Sequence, residues 1–304
     1  MAFRRSLTTV LATAVAVLAS RPAGAYVRAR ANASTDPLYW PRPVAELEVT
    51  RPPDDFPIAA DDVRAEVAAA LAAWSYPAVD CTAVSLALTP GFGDSEAVAF
   101  DGHNRIITRT GAWCRDPDTC TRPYDDSQVA LTTVFSLSRP AGEIVEADIE
   151  LNDVGYEWAV VSDGSFSHRP QYDLRSALTH EVGHFIGLAH DCLQPGDALR
   201  VDDAGNVSPD CSSIPASEDA QIRGATMYPI MSAADVSWRS LSDDDTRAAC
   251  DIYPRADLPV LGWCDVAASR GAASSLGGLG LFGAVAALGL AGRRRRRHGR
   301  RLAA

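Results

Sequence analysis

The segment His180-Glu181-Val182-Gly183-His184-Phe185-Ile186-Gly187-Leu188-Ala189-His190 gathers the residue types best suited to metal chemistry within eleven positions. On a helix, residues four apart are neighbours on one face, so His180 and His184 present two imidazoles to one point. Zinc takes imidazole nitrogen at about 2.0–2.1 Å in a tetrahedral shell, and a third ligand must then arrive from another direction. Gly187 accepts the left-handed conformation that ends a helix, and His190 follows where the chain can swing back. Three protein ligands leave a fourth position for water, the arrangement of a catalytic rather than a structural zinc. Glu181 points about 100° round the helix from His180, which sets its carboxylate beside that water rather than on the ion. Zinc lowers the pKa of bound water from 15.7 to about 7, and Glu181 is placed to take its proton and pass it to a leaving amine. A chance match to this pattern is on the order of 10⁻⁵ at this composition, so the segment is read as a site and not a coincidence.

The elements that must hold these residues follow from periodicity. A helix is expected from a cap at Asp61 to about Trp74, with Val63, Val67, Leu71 and Trp74 as its apolar stripe. Strands are expected around Val84–Leu88, Asn104–Thr110 and Val129–Leu137. In 143–152, Val145, Ala147, Ile149 and Leu151 alternate with Glu146, Asp148, Glu150 and Asn152, which predicts a half-buried strand with its acids facing outward. The metal helix should run over about Leu174–Leu188. A last helix should cover Asp243–Tyr253, capped by Ser242 with Asp245 in the capping-box position. Residues 26–58 read as irregular chain or an edge strand, and 193–224 as a long polar loop. One helix, several strands and two further helices make an α+β domain.

The ends carry different signals. Residues 1–25 have Arg4 and Arg5, an apolar run from Leu7 to Ala19 and Ala23-Gly24-Ala25, the pattern of a secretory signal peptide. Residues 26–258 form the expected catalytic domain and 259–271 a linker. Residues 272–292 are uncharged and rich in Gly, Ala and Leu, and Arg293–Arg297 follow within a basic tail, 293–304. That reads as a membrane-spanning helix with its arginines on the cytoplasmic side. Removing the eleven arginines of the ends and linker, and Asp265, from 28 Lys+Arg and 39 Asp+Glu leaves 17 against 38 for residues 26–264, a net charge of −21. Nucleic acid is excluded as a partner of such a surface. An exported chain oxidises its thiols, and seven cysteines leave one over. Cys114 with Cys120, Cys192 with Cys211 and Cys81 with Cys250 form one arrangement, with Cys264 beside the anchor as the odd one; sequence alone leaves the connectivity open. Asp202, Asp203, Asn206 and Asp210 offer oxygens for a calcium ion, against the plainer reading of a solvated loop.

The zinc segment resembles the elongated motif of the metzincin peptidases. The matrixin branch is the nearest likeness: Tyr172–Leu178 resembles its approach to the active helix, Ala147–Asn152 its preceding strand, Ala225-Thr226-Met227-Tyr228-Pro229 its Met-turn, and Leu241–Asp245 with Ile252-Tyr253-Pro254 its C-terminal helix. Together these span about residues 40–256. The resemblance implies a twisted, mostly parallel sheet above a cleft, Met227 beneath the histidines, and Tyr228 and Pro229 in a wall of the specificity pocket. It implies a monomeric endopeptidase acting on proteins or peptides. Asp191 stands where matrixins carry Ser and is similar to the adamalysin branch. No Pro-Arg-Cys-Gly segment offers a thiolate for latency, and His103 and His168 are isolated. Cys264, the Gly/Ala/Leu stretch and the Arg cluster resemble the sorting tails of myxobacterial surface proteins. The reading is thus a surface-anchored or secreted zinc endopeptidase; the alternative is a catalytically silent zinc-containing adhesion module.

Overall fold

The computed structural model describes residues 26–31, 36–162, 170–256 and, by backbone alone, 281–285. Strand β1 (Val27–Arg28) is followed by β2 (Val44–Val49), α1 (Ala60–Trp74), β3 (Ser85–Leu88), β4 (Asn104–Arg109), β5 (Ala130–Ser138) and β6 (Ala141–Asn152). Then come β7 (Glu157–Ala159), β8 (Gln171–Asp173), α2 (Leu174–Phe185), β9 (Leu188–Ala189), α3 (Asp219–Gly224), α4 (Asp243–Ile252) and β10 (Leu281–Val285). The result is an α+β fold. Its central sheet has the order β10-β5-β6-β4-β2-β3, with parallel pairs from β3 through β2 and β4 to β6 and antiparallel pairs at β5.

The core lies between this sheet and helices α1 and α2. Val63, Val67, Leu71 and Trp74 of α1 are all fully buried, as their spacing requires, and meet Leu178, Val182 and Phe185 of α2 over Ala147, Ile149 and Leu151. Trp74 Nε1 donates to Thr179 O at 2.7 Å, and Arg175 of α2 clasps the buried Glu66 of α1 at 2.6 Å, so the two helices are fixed in register. Asp61 is not the cap of α1. The cap position is Ala59, without a side-chain hydrogen bond, and Asp61 sits in the first turn, where a negative charge complements the helix dipole. Helix α4 does carry its capping box: Ser242 Oγ accepts from Asp245 N, and the Asp245 carboxylate accepts from Ser242 N at 3.0 Å. Chain 26–58 contributes β1 and also β2, which lies inside the sheet between β3 and β4 rather than at an edge.

Three disulfides, Cys81–Cys250, Cys114–Cys120 and Cys192–Cys211, join the described cysteines; Cys264 lies outside the described residues.

Two expectations need correction. The acids of β6 do not face water. Glu146, Asp148, Glu150 and Asn152 are at most 1 % exposed, because segment 94–128 covers that face of the sheet. Backbone N–H groups of Asp101 and Gly102 serve Glu146, those of Ala99 and Arg105 serve Asp148, and Arg109 Nε and Tyr124 OH each reach Glu150 at 2.7 Å. A period of two shows which residues share a face, and it cannot show that a loop will cover the polar one. The second correction concerns the segment read as a membrane helix. Its described part, Leu281–Val285, is a strand antiparallel to Thr133–Leu137 of β5. An edge strand offers unpaired main-chain groups to any short apolar segment. No helix among the described residues is long and apolar enough to cross a membrane.

Candidate metal centre

Helix α2 begins at Asp173, whose carboxylate accepts from Ser176 N at 2.8 Å and from Arg239 Nε at 2.9 Å. Its far end is held by carbonyl partners from elsewhere: Trp40 Nε1 donates to Phe185 O at 2.8 Å and Tyr253 OH to Ile186 O at 2.6 Å. These bonds satisfy carbonyls that a helix terminus leaves open. The helix ends three residues earlier than its apolar pattern suggests, and Gly187 then takes φ +97°, with a Cβ there set 2.7 Å from Leu38 O. Only glycine fits both demands. The turn carries the chain through β9, which pairs with β1, and brings His190 back over the helix.

The outcome is a convergent triad. His190 Nε2 stands 3.1 Å from His180 Nε2 and 3.1 Å from His184 Nε2. His180 Nδ1 lies 2.6 Å from Thr226 O, and His184 Nδ1 lies 2.9 Å from Leu188 O. A carbonyl only accepts, so both Nδ1 atoms carry the proton and both Nε2 atoms present lone pairs. Lone pairs this close repel unless a proton or a metal cation lies among them. Ligands about 2.0–2.1 Å from a tetrahedral ion sit about 3.3 Å apart, so the spacing fits a metal of zinc's size, and these three side chains could hold one. Burial pushes His180 down to about 4 and His184 to about 3, and drives His190 well below its ordinary value. All three rings are therefore neutral donors at pH 7.

Glu181 lies beside them, 5 % exposed. Burial raises its carboxyl to about 7, against the lowering influence of the Thr132 hydroxyl. Thr132 Oγ1 donates to Glu181 Oε2 at 2.6 Å from β5. Met227 is fully buried below the helix; a Cβ on Gly183 would stand 2.2 Å from its sulfur and 3.0 Å from Trp74. Trp238 stacks on His180 with ring centroids 5.0 Å apart and planes 23° apart. A cleft of about 700 Å³ opens over the triad, lined by Ser127–Val129 and the first residues of β5, Ala130–Thr132, by Arg28–Arg30, and by Tyr172, Pro229, Met231 and Trp238.

The residues named from sequence are thus placed as follows. His180, His184, His190 and Glu181 share the cleft, Met227 is its floor, and Pro229 lines it. Tyr228 does not line it; the ring packs with Ile222, Trp238 and the Cys192–Cys211 bridge, and its hydroxyl meets Arg223. The calcium candidates do not form a ligand cluster. Asp202 accepts from Ala204 N and from Asn206 N and Nδ2, Asp210 accepts from Ser212, and Asp203 faces Arg28 and Arg30. His103 is exposed and pairs with Glu48 at 2.5 Å, which raises it above its ordinary value; His168 lies outside the described residues. Sequence reasoning missed Thr132, Trp238 and Asp173. It noted Asp191 without foreseeing its surroundings: the side chain is 1 % exposed, neither carboxyl oxygen has a hydrogen-bond partner among the described residues, and burial, with Asp244 and Asp245 nearby, pushes it well above its ordinary value. No short-range pattern could have found Thr132 or Trp238, which reach the triad from 48 and 58 residues away along the chain.

No family model matches the chain, and no curated protein matches it.

Proposed function

We propose that the protein is a zinc-dependent endopeptidase of metzincin type, closest to the matrixin branch. The observation that carries the proposal is the meeting of three neutral imidazole nitrogens with a carboxylate in the next helical position, all at the base of an open cleft. His180, His184 and His190 would hold a zinc ion, which would supply Lewis acidity to make water nucleophilic and to polarise a carbonyl.

The chain's own residues supply the rest. The hydrogen bonds from Nδ1 of His180 and His184 to Thr226 O and Leu188 O fix ring orientation and tautomer, the outer support that ligand histidines need. Burial brings Glu181 to about 7, near the working pH of a general base. It takes a proton from the attacking water and returns it to the leaving nitrogen. Ala130–Thr132 lie beyond the stretch of β5 that pairs with β10, and a peptide laid there as an added strand would bring its carbonyl over the triad. Export is the natural setting, supported by the signal-like residues 1–25 and the three disulfides. Anchoring or sorting through 272–304 belongs to the same proposal, although five of those residues form β10. An intact Arg-rich C-terminus on the mature surface protein, read by mass spectrometry, would count against sorting by cleavage.

The test is hydrolysis of casein by the exported chain, with a chelator and with zinc restored. Activity should disappear and return. Persistent hydrolysis in the chelator, or tight zinc binding with no turnover of any peptide in a broad library, would overturn the proposal; the second result would favour a silent zinc module.

A further inference from the structure

We infer that Thr132 is a positioning residue for Glu181, dividing the labour of the carboxylate between its two oxygens; this rests on the peptidase reading above. Thr132 is 2 % exposed, on β5. Strand alternation sends its side chain to the helix side of the sheet and that of Thr133 to the opposite side, where Arg115 reaches the Thr133 hydroxyl. Thr132 Oγ1 lies 2.6 Å from Glu181 Oε2 and 3.2 Å from Glu181 O. A hydroxyl has one proton, and the shorter contact, to the carboxylate, is the stronger of the two. It fixes the terminal torsion of a side chain that is otherwise free to swing. Glu181 lines the cleft, and with Oε2 held by Thr132 its Oε1 is the oxygen left to carry the proton.

The division matters because two acids line the cleft among the described residues, and the second, Asp197, is held by Arg200 at 2.8 Å. In the hydrolysis one C–N bond breaks and one C–O bond forms. The proton lost by water rests on Oε1 before it reaches the amine. A carboxylate rotated by a few tens of degrees would offer that proton away from the nitrogen, and misplacement of this order costs rate rather than binding. The Thr132 hydroxyl is engaged by Glu181, and the side chain acts through that carboxylate.

The experiment compares Thr132→Val, which keeps the shape and removes the hydroxyl, with Thr132→Ser, which keeps the hydroxyl and removes the methyl. In the full exported chain, Val should lower kcat by roughly 10–100-fold with KM, zinc affinity by chelator competition and melting temperature unchanged, while Ser keeps most of the activity. In the metal-free protein, isotope-edited infrared difference spectra should show the Glu181 carboxylate band shifted in Val and unshifted in Ser. Should Val fail to fold, Thr132→Ala against Thr132→Ser isolates the same hydroxyl. Wild-type kcat in Val, or equal losses in Val and Ser accompanied by loss of zinc affinity or stability, would overturn the assignment while leaving the peptidase reading intact. A wild-type chain that binds zinc and cleaves nothing would remove both.

Discussion

Two buried polar clusters lie on opposite faces of β6 and its neighbours, and they are satisfied in opposite ways. On the outer face, Glu146, Asp148 and Glu150 are enclosed among donors: backbone N–H groups, Arg109 and Tyr124. These donors answer part of their charge, and burial still raises all three above the ordinary carboxylate range. On the inner face, His190 Nε2 stands 3.1 Å from the acceptor nitrogens of His180 and His184, whose protons are committed to Thr226 and Leu188. Here two acceptor nitrogens converge on a third ring, with no carboxylate or arginine among the described residues hydrogen-bonded to them. Burying an unanswered polar group costs free energy, and a cluster built this way could hold a cation. The comparison teaches that count and burial do not mark a site. The six carboxylate oxygens of β6 are more deeply buried than His184 or His190, yet their geometry is closed.

The closed and the open cluster should respond differently to substitution. The largest effect should follow His184→Ala, which removes one of the converging acceptors: metal retention and hydrolysis should fall by more than the about 100-fold typical of an outer partner, read by metal analysis and peptide turnover. Glu181→Gln should keep the metal and lose about 10²–10⁴-fold in kcat. Arg109→Met touches only the closed cluster. It strips the buried Glu150 of its cation and should cost about 3–5 kcal/mol of unfolding free energy in a denaturant titration, with the metal content per folded chain unchanged. Gly183→Ala drives a methyl onto the Met227 sulfur and should cost about 1–3 kcal/mol through overpacking, read by melting temperature.

The smallest effect is in pH dependence, where the clusters have opposite signs. In the chelated protein, His180 and His184 sit depressed at about 4 and about 3. The unfolded chain takes up their protons from about 6.5, so their contribution to stability falls as pH drops below that value. Asp148 is raised to about 7 by burial. The folded chain keeps a proton that the unfolded chain has lost above about 3.9, so its penalty eases as pH falls from 7. Replacing Asp148 by Asn should therefore make stability fall more steeply between pH 7 and pH 5. An unchanged slope would contradict the assignment of that carboxyl.

How much of this was legible in sequence depended on range along the chain. His180, Glu181, His184 and His190 could be read because helical spacing and one glycine decide where they point. The α1 stripe and the Ser242–Asp245 capping box were legible for the same local reason. The covered face of β6 was not, because its partners come from Asp101, Arg105, Arg109 and Tyr124, more than twenty residues upstream. Thr132 and Trp238 escaped because neither has a local signature and each reaches the site only through tertiary packing. The Leu281–Val285 strand escaped because composition alone speaks for a bilayer, whereas an open sheet edge competes for the same apolar segment.

We propose above that the triad holds a catalytic zinc served by Glu181. The most direct test is to purify the exported wild-type chain and Glu181→Gln side by side and measure bound zinc and casein hydrolysis on the same samples. Equal zinc in both, with hydrolysis confined to wild type, is the predicted result. Hydrolysis by Glu181→Gln at the wild-type rate, or wild-type chain that folds and takes up no metal, would contradict it.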